Sequence, residues 1–310
     1  MGESYTYVFG PVPSRRLGRS LGIDLVPFKH CSFDCVYCQL GATTCKTVDR
    51  REFVPLDDVL AEIDRKLASG VRPDYITMSG SGEPTLYLRL GELIAAIKRR
   101  TDVPVAVITN GSLLWHPEVR QAIVQADLVV PSLDAADAAL FQRINRPDPS
   151  LHIEQIVDGL MAFRNEFAGQ LWLEVFVLPI TEEGDIRRIA DAAERIRPDR
   201  VQLNTVERPP TDRSATAVPR ARMAQFAAIF GNRAEVIADY RGTHDTETFT
   251  VTRDEVLDLI RRRPCTLADV AHGLGIHRNE ATKHLGHLIE QDKARAEERN
   301  GETYFVASGE

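Results

Sequence analysis

The chain has 310 residues, of which 43% are hydrophobic and 27% charged, and this composition predicts one large globular domain with room for a small one. A formal net charge of −7 argues against a broadly basic surface for nucleic acid, although a local basic patch is compatible with it. The N-terminus lacks a signal pattern, and no segment approaches the roughly 18 uninterrupted apolar residues of a membrane span. We therefore expect a soluble, cytoplasmic protein without a membrane partner.

Short apolar runs alternate with amphipathic helical stretches from about residue 21 to residue 239. This alternation predicts a parallel sheet covered by helices, and six such units predict an α/β fold with a partial (β/α)6 TIM-type barrel. The predicted strands span residues 21–26, 74–80, 103–110, 127–134, 171–179 and 200–206. The predicted helices span residues 56–68, 86–99, 117–125, 153–167 and 185–196.

Polar segments follow several of these strands, at the end where parallel barrels carry their chemistry. Turns are polar in any protein, but that alone explains poorly why every unusual segment falls at one rim. The rim residues are Gly80, Ser81, Gly82 and Glu83 after the second strand, Asn110 after the third, Ser132 and Asp134 after the fourth, and Asn204 after the sixth.

Three of the five cysteines, Cys31, Cys35 and Cys38, follow the first strand in the spacing C-x3-C-x2-C. Clustered cysteines in an intracellular chain indicate a metal site or catalysis. Structural zinc prefers four protein ligands in two separated pairs, and no second pair follows; His30 as a fourth ligand is hampered by its neighbour Cys31. A [4Fe–4S] cube held by three thiolates instead leaves one iron open to a small molecule.

The cysteine spacing, with Tyr37 just before the last cysteine, resembles the signature of the radical S-adenosylmethionine (radical SAM) superfamily. The resemblance implies that Cys31, Cys35 and Cys38 bind a [4Fe–4S] cluster and that SAM chelates its open iron. An electron donor such as a flavodoxin or ferredoxin would reduce the cluster. Reductive cleavage of SAM then yields a 5′-deoxyadenosyl radical that abstracts a hydrogen atom from a substrate.

The same resemblance assigns SAM contacts to the rim. Residues 79–84 are similar to the family's GGEP motif, with Ser81 in place of the first glycine. Glu83 would receive the methionine ammonium, Asn110 with Ser132 or Asp134 would bind the ribose or the carboxylate, and Asn204 would face the adenine. Tyr37, Gly80 and Gly82 complete the implied SAM-binding set.

Within the superfamily, the chain resembles proteins related to the wyosine-base (imidazoguanosine) synthases of transfer RNA over roughly residues 8–240. The likeness rests on GPVPSRRLGRSLGIDLVP, SGSGEPTL, TNGSLL, SLDA with INRP, and QLNTVERPP. Residues 1–30 contain no cysteine for a second cluster, so we expect only the radical initiation to be shared. The candidate substrates are a tRNA base, a protein or peptide, and a small metabolite.

Three further residues are weak catalytic candidates. Arg15 and Arg16 precede the first strand, where they can bind a phosphate or carboxylate or else form surface ion pairs. Cys45 can donate a hydrogen atom or ligate a second metal, but a lone cysteine is most often buried without a chemical role.

A change of pattern divides the chain into a barrel at 1–240, a polar linker at 241–249 and a small domain at 250–310. Helices at 253–262, 267–273 and 278–291 precede two short strands joined through Asn300-Gly301, a strong hairpin signal, and Cys265 is expected to start a helix. The order resembles a winged helix-turn-helix domain that folds separately and recruits a partner. Its expected outward residues are Arg278, Asn279, Lys283, His284 and His287.

Two functions are therefore in competition. The first is an oxygen-sensitive radical SAM enzyme that modifies one of the candidate substrates. The alternative is an iron–sulfur redox or metal-sensing regulator that acts through the winged-helix domain. A sensor needs no SAM pocket, whereas the rim segments indicate that this chain has such a pocket, which favours the enzyme.

Overall fold

The computed structural model describes residues 6–14, 16–206, 212, 215–237, 252–262, 264–274, 276–299 and 302–308. The expected linker, Arg15 and the Asn300-Gly301 turn lie outside these residues. In chain order the strands are β1 Val8–Ser14, β2 Gly18–Ile23, β3 His30–Cys31, β4 Cys45–Lys46, β5 Tyr75–Met78, β6 Val105–Thr109, β7 Leu128–Pro131, β8 Gln170–Phe176, β9 Arg200–Asn204, β10 Ala234–Val236, β11 Cys265–Thr266, β12 Ala294–Arg299 and β13 Glu302–Ala307.

The centre of the molecule is an eight-stranded sheet in the order β1-β2-β5-β6-β7-β8-β9-β10. Strand β1 runs antiparallel to β2, and all other neighbours in this sheet are parallel. All six predicted strands are confirmed, as β2 and β5 to β9. The sequence did not reveal β1, whose prolines obscure the strand pattern and are tolerated at a sheet edge, or the short β10.

Helices cover one face of this sheet, as predicted. Helix α2 begins later than expected, because Pro84–Leu86 form a separate 3-10 turn that the Glu83 side chain caps. None of the described helices is long and apolar enough to cross a membrane. The helices are α1 Leu56–Ala68, α2 Leu90–Lys98, α3 Pro117–Ile123, α4 Ala138–Ile144, α5 Ile153–Glu166, α6 Glu183–Ile196, α7 Arg220–Ile229, α8 Arg253–Arg262, α9 Leu267–Leu274 and α10 Arg278–Glu290.

The two faces of the sheet are filled differently. Alternate residues such as Val105 and Val107 join the large core beneath the helices, whereas Ala106 packs on the opposite face with Leu17 and Trp172. Leu17 belongs to the turn between β1 and β2, so this turn closes the inner face of the sheet at the ends where its parallel strands begin.

The C-terminal residues have a core of their own. Helices α8 to α10 pack on a three-stranded antiparallel sheet in the order β11-β13-β12. Cys265 was expected to start a helix, but it lies in strand β11, paired with Phe305. His284 was expected on the outside, and this is wrong: it is fully buried, because it lies on the same side of α10 as the buried Ala281 and Leu285.

A buried carboxylate fastens the edge strand β1 to helix α1. Glu62, which is 6% exposed, accepts hydrogen bonds from the backbone N–H groups of Thr6, Tyr7 and Val8 at 2.8–3.1 Å. Three donors on one carboxylate compensate for its burial, and the carboxylate in turn satisfies backbone N–H groups at the start of the edge strand.

Replacing Glu62 with Ala should therefore lower the free energy of unfolding by about 1.5–3 kcal/mol, the usual contribution of hydrogen bonds to a charged group. Chemical denaturation measures the change. The matched control is Asp58→Ala, which removes an exposed carboxylate from the same helix and should cost less than about 1 kcal/mol. Equal losses in the two variants would contradict the role of Glu62.

Candidate active site

The ends of the parallel strands bring the predicted rim segments to the cysteine loop. Strand β3, which contains Cys31, follows β2, and Glu83 N donates to the carbonyl oxygen of His30 at 3.1 Å. Asn110 follows β6, Ser132 and Asp134 follow β7, and Asn204 ends β9. The expectation that these segments share one end of the sheet is confirmed.

Each sulfur of the three clustered cysteines has an N–H donor from a different part of the chain. The pairs are Cys31 Sγ with Asn110 Nδ2 at 3.5 Å, Cys35 Sγ with Asn145 Nδ2 at 3.5 Å, and Cys38 Sγ with Lys29 Nζ at 3.0 Å. Donors of this kind stabilise negative charge on sulfur and tune the potential of a bound iron–sulfur cluster.

Two of the three cysteines, Cys31 and Cys35, are thiols whose pKa is raised. Burial raises the pKa of Cys31 to about 12, with the Glu83 carboxylate adding to the effect. Burial also raises the pKa of Cys35 well above its usual value, and there Asp134 adds to it. A metal must therefore displace protons from these thiols when it binds, so binding and deprotonation are linked.

Lys29 places a buried positive charge beside all three sulfurs. Its side chain belongs to a residue that is 3% exposed, and its backbone has a left-handed φ of 58°. Burial lowers the pKa of Lys29, but the neighbouring sulfurs, Cys38 first, outweigh that effect and the net shift is upward. Lys29 is therefore an ammonium ion, and sequence analysis gave it no role.

Tyr37 connects the cysteine loop to strands β7 and β8. Its ring stacks on Phe176 with centroids 3.8 Å apart, and its hydroxyl donates to Asp134 Oδ2 at 2.5 Å. Asp134 also accepts Asn145 Nδ2 at 2.7 Å and the Phe176 N–H at 2.8 Å. Burial raises the pKa of Asp134 to about 6, against the opposing effect of these donors. Asp134 is thus part of the wall that holds the loop.

Glu83 connects the turn after β5 to the end of β6. Its Oε1 atom accepts Thr85 N, Thr85 Oγ1 and Thr109 Oγ1, at 2.6–3.0 Å. Its Oε2 atom accepts Asn110 N at 2.7 Å. Burial raises the pKa of Glu83, and the hydrogen bonds from Thr109 and Thr85 oppose that rise. With one described donor, Oε2 retains acceptor capacity for a further partner.

The glycines of the same turn permit close contact with the cysteine loop. A Cβ on Gly82 would overlap the carbonyl oxygen of His30, and one on Gly80 would overlap the Asp24 side chain. The backbone and hydroxyl of Ser81 both donate to that Asp24 carboxylate. Glycine is needed here because backbone meets backbone and a buried acid.

A cleft lies between the cysteine loop and the ends of β6 and β7. It has room for about one water molecule, and Asn110, Ser132 and Asp134 line it together with apolar side chains such as Phe33 and Ile153. Three residues nominated from the sequence therefore share one cavity. Asn110 is fixed there, since its Nδ2 also donates to Ser32 Oγ at 2.8 Å.

Asn204 and Arg16 meet on a buried acid of strand β8. Glu174 Oε1 accepts Arg16 Nη2 at 2.7 Å and Asn204 Nδ2 at 3.0 Å. Arg16 Nη1 is buried and has no hydrogen-bond partner among the described residues. Glu174 alternates with Trp172 along β8, so this cluster lies on the inner face of the sheet. Cys45 lies in β4, paired with His30 in β3.

The donor set around the cysteine loop fits an iron–sulfur cube. Within the described residues, no three His, Cys, Asp or Glu side chains gather closely enough to share one metal ion. A cube instead takes each thiolate on a different iron. Three sulfurs with three separate N–H donors, one of which is the buried ammonium of Lys29, match that requirement.

Comparison with protein families identifies a match over residues 25–193, to the radical SAM superfamily. A UPF0026 protein of Methanocaldococcus jannaschii is 37% identical over 247 residues, which cover 76% of this chain and 76% of that protein. A UPF0026 protein of Helicobacter pylori is 33% identical and covers 93% of each chain.

Two other similarities are more limited. A Brachyspira hyodysenteriae protein named GTPase Obg is 38% identical over 95% of this chain, but this chain spans 44% of that protein's length. The S-adenosyl-L-methionine-dependent tRNA 4-demethylwyosine synthase of Oryza sativa is 24% identical over 53% of this chain. That match covers 27% of the synthase.

Among solved structures, Streptococcus suis SuiB bound to S-adenosylmethionine superposes with a TM-score of 0.52 at 16% identity. The superposition covers 71% of this chain and 50% of SuiB. At this identity the likeness concerns the fold, and it confirms the predicted α/β radical SAM architecture.

Replacing Lys29 with Met should lower the midpoint potential of a cluster held by the three cysteines. A nearby positive charge favours the more negative reduced state, and we expect a shift on the order of 60 mV, which corresponds to a tenfold change for one electron. A redox titration followed by electron paramagnetic resonance measures it. Lys46→Met is the control, because Lys46 is exposed and its Nζ donates to the Arg146 carbonyl. An unchanged potential in Lys29→Met would contradict the electrostatic role.

Proposed function

We propose a function for this chain from its membership of the radical SAM superfamily and of the UPF0026 family. In this proposal Cys31, Cys35 and Cys38 hold the cluster, and the surrounding rim binds SAM. The chain is a radical SAM enzyme, and its cofactors are a [4Fe–4S] cluster and SAM. When bound, they supply a 5′-deoxyadenosyl radical that abstracts hydrogen from a substrate. The observation that carries the residue assignment is the separate N–H donor on each sulfur.

The protein's part in this chemistry begins with orientation of the cysteine loop. Tyr37 fixes the loop through its stack on Phe176 and its hydrogen bond to Asp134. Asn145 donates to both Asp134 and Cys35, so the same side chain positions the wall and a proposed cluster ligand. Lys29 offsets part of the negative charge that three thiolates bring into a buried site.

SAM binding is assigned to the rim segments around the loop. Glu83 Oε2, which keeps acceptor capacity, receives the methionine ammonium, and the turn at Gly80, Ser81 and Gly82 forms the adjoining backbone surface. Asn110 and Ser132, which line one small cavity at this rim, are assigned to the carboxylate or the ribose hydroxyls. Asp134 supports SAM binding indirectly, because it accepts the hydrogen bond that orients Tyr37. Asn204 faces the adenine.

The substrate side is a proposal about chemical class. Arg16 Nη2 pairs with Glu174, whereas its buried Nη1 has no hydrogen-bond partner among the residues that the structure describes, so Arg16 is the residue suited to an anionic group there. A tRNA base is our first candidate substrate, supported by the similarity to the tRNA 4-demethylwyosine synthase. A flavodoxin or ferredoxin supplies the electron. Arg15 and Cys45 remain weaker candidates.

The C-terminal residues are proposed to form a winged helix, joined to the barrel through residues 241–249. The order helix, strand, two helices and two strands, with an antiparallel three-stranded sheet, supports this assignment. Two separate hydrophobic cores support the proposed domain limits of 1–240 and 250–310.

Anaerobic incubation of the cluster-loaded protein with dithionite and SAM tests the proposed function. We expect 5′-deoxyadenosine in the wild type and none in a variant with Cys31, Cys35 and Cys38 all replaced by Ala. Iron and sulfide analysis accompanies the assay, and full iron retention in that variant would remove the ligand assignment. A protein that binds SAM and never forms 5′-deoxyadenosine would favour the sensor.

The substitution Glu83→Gln should weaken SAM binding by about ten- to a hundredfold, because a hydrogen bond to a charged group contributes about 1.5–3 kcal/mol. The cluster should stay intact, since Glu83 is not a proposed ligand. Anaerobic calorimetry with SAM measures the affinity. The control Glu92→Gln neutralises an exposed acid that pairs with Arg89 on the protein surface. Undiminished affinity in Glu83→Gln would exclude Glu83 from the SAM site.

A further inference from the structure

The first turn of helix α10 contacts the barrel beside the proposed SAM turn. The His277 ring stacks on Phe9 of strand β1 with centroids 4.4 Å apart and planes within 13°. His277 Nε2 lies 3.0 Å from Asp24 Oδ2, and the guanidinium of Arg278 lies 4.3 Å above the Phe28 ring. These contacts join the C-terminal unit to the segment between β2 and the cysteine loop.

The tautomer of His277 is set by its own helix. His277 is the N-cap of α10, and its Nδ1 accepts the Asn279 N–H at 3.2 Å. A neutral ring that accepts at Nδ1 carries its proton on Nε2. His277 therefore donates to Asp24, and the cap bond and the bond to the barrel support each other.

Asp24 bridges His277 and the turn that contains Ser81. Asp24 is 7% exposed. Its carboxylate accepts hydrogen bonds from the Ser81 N–H, at 2.9 Å, and from the Ser81 hydroxyl. The Asp24 N–H donates to the Tyr7 carbonyl at 2.8 Å, so the backbone is fixed as well. The missing side chain of Gly80 lets the turn approach this closely.

We propose that His277, acting through Asp24 and Ser81, is a positioning residue for the SAM site, so that the C-terminal unit completes the active-site wall. This rests on the proposed function, because the turn at Ser81 is assigned to SAM there. A buried carboxylate needs donors, and two of those on Asp24 come from Ser81 itself. Loss of the His277 donor leaves the Asp24 carboxylate held, among the described residues, by Ser81 alone, so the orientation of the carboxylate and of the Ser81 turn is less firmly fixed.

The same contact limits how helix α10 can be used. In a helix-turn-helix protein the residues at the start of the recognition helix contact base edges. Here Phe9, Asp24 and Phe28 of the barrel cover His277 and Arg278. Docking to the barrel and reading a nucleic acid with this end of the helix exclude each other.

The test compares full-length, cluster-loaded variants in anaerobic calorimetry with SAM. His277→Leu should weaken SAM affinity about tenfold while iron content stays at the wild-type level, and His277→Gln should recover most of the affinity because its amide can donate to Asp24. His287→Leu is the matched control, since His287 lies on the same helix and pairs with Glu290.

Asp24→Asn changes the other partner of the contact with His277, and it tests the same proposal if His277→Leu is insoluble. It should weaken SAM binding similarly, and the double variant should lose little more than either single one, because both changes break one chain of contacts. A wild type that binds no SAM would contradict the proposed function. A wild type that binds SAM, with equal affinity in His277→Leu or Asp24→Asn, would overturn this inference alone.

Discussion

The convergence of three sulfurs in one partly buried loop is the constraint on which the rest of this structure depends. A thiolate buried without donors is costly, and three together repel one another. The protein answers with one N–H donor for each sulfur, from Lys29, Asn110 and Asn145, and these residues belong to three separate parts of the chain. Only Lys29 comes from the segment next to the cysteine loop, and the other two donors come from elsewhere. The site therefore exists only when strand β6 and the end of helix α4 have been brought to the loop by the barrel.

Two buried acids oppose thiolate formation at this site, and the same two acids hold its donors in place. Glu83 and Asp134 both raise the pKa of a neighbouring cysteine, so their charges oppose thiolate formation. Each also fixes a donor: Glu83 holds the backbone of Asn110, and Asp134 holds the amide of Asn145. Precise placement of the amide donors thus carries an electrostatic cost, and the buried ammonium of Lys29 offsets part of it.

The sequence predicted those parts of the fold and site that local pattern determines. The six parallel strands and the location of the rim residues after them follow from periodicity and barrel topology, and the cysteine motif is read directly from the sequence. Strand β1 and the contacts of Asp24 depend on pairing between distant segments, which periodicity does not encode. Lys29 gave no signal, and Asn145 was noticed only as part of the INRP segment and received no role, because single polar residues beside a motif look alike whether they face solvent or sulfur. His284 was placed on the wrong side of α10 because a short helix with many polar residues leaves its buried face ambiguous.

The contact between α10 and the barrel changes what the small C-terminal unit can contribute. A domain on a flexible tether raises the local concentration of a partner and leaves the chemistry unaltered. A domain whose first helical turn donates to Asp24 is instead coupled to the turn that carries Ser81. Coupling of this kind is reciprocal, so whatever stabilises the docked position of α10 also favours SAM binding, and bound SAM favours docking by the same factor. The unit then reports on occupancy of the active site through the contact that positions it.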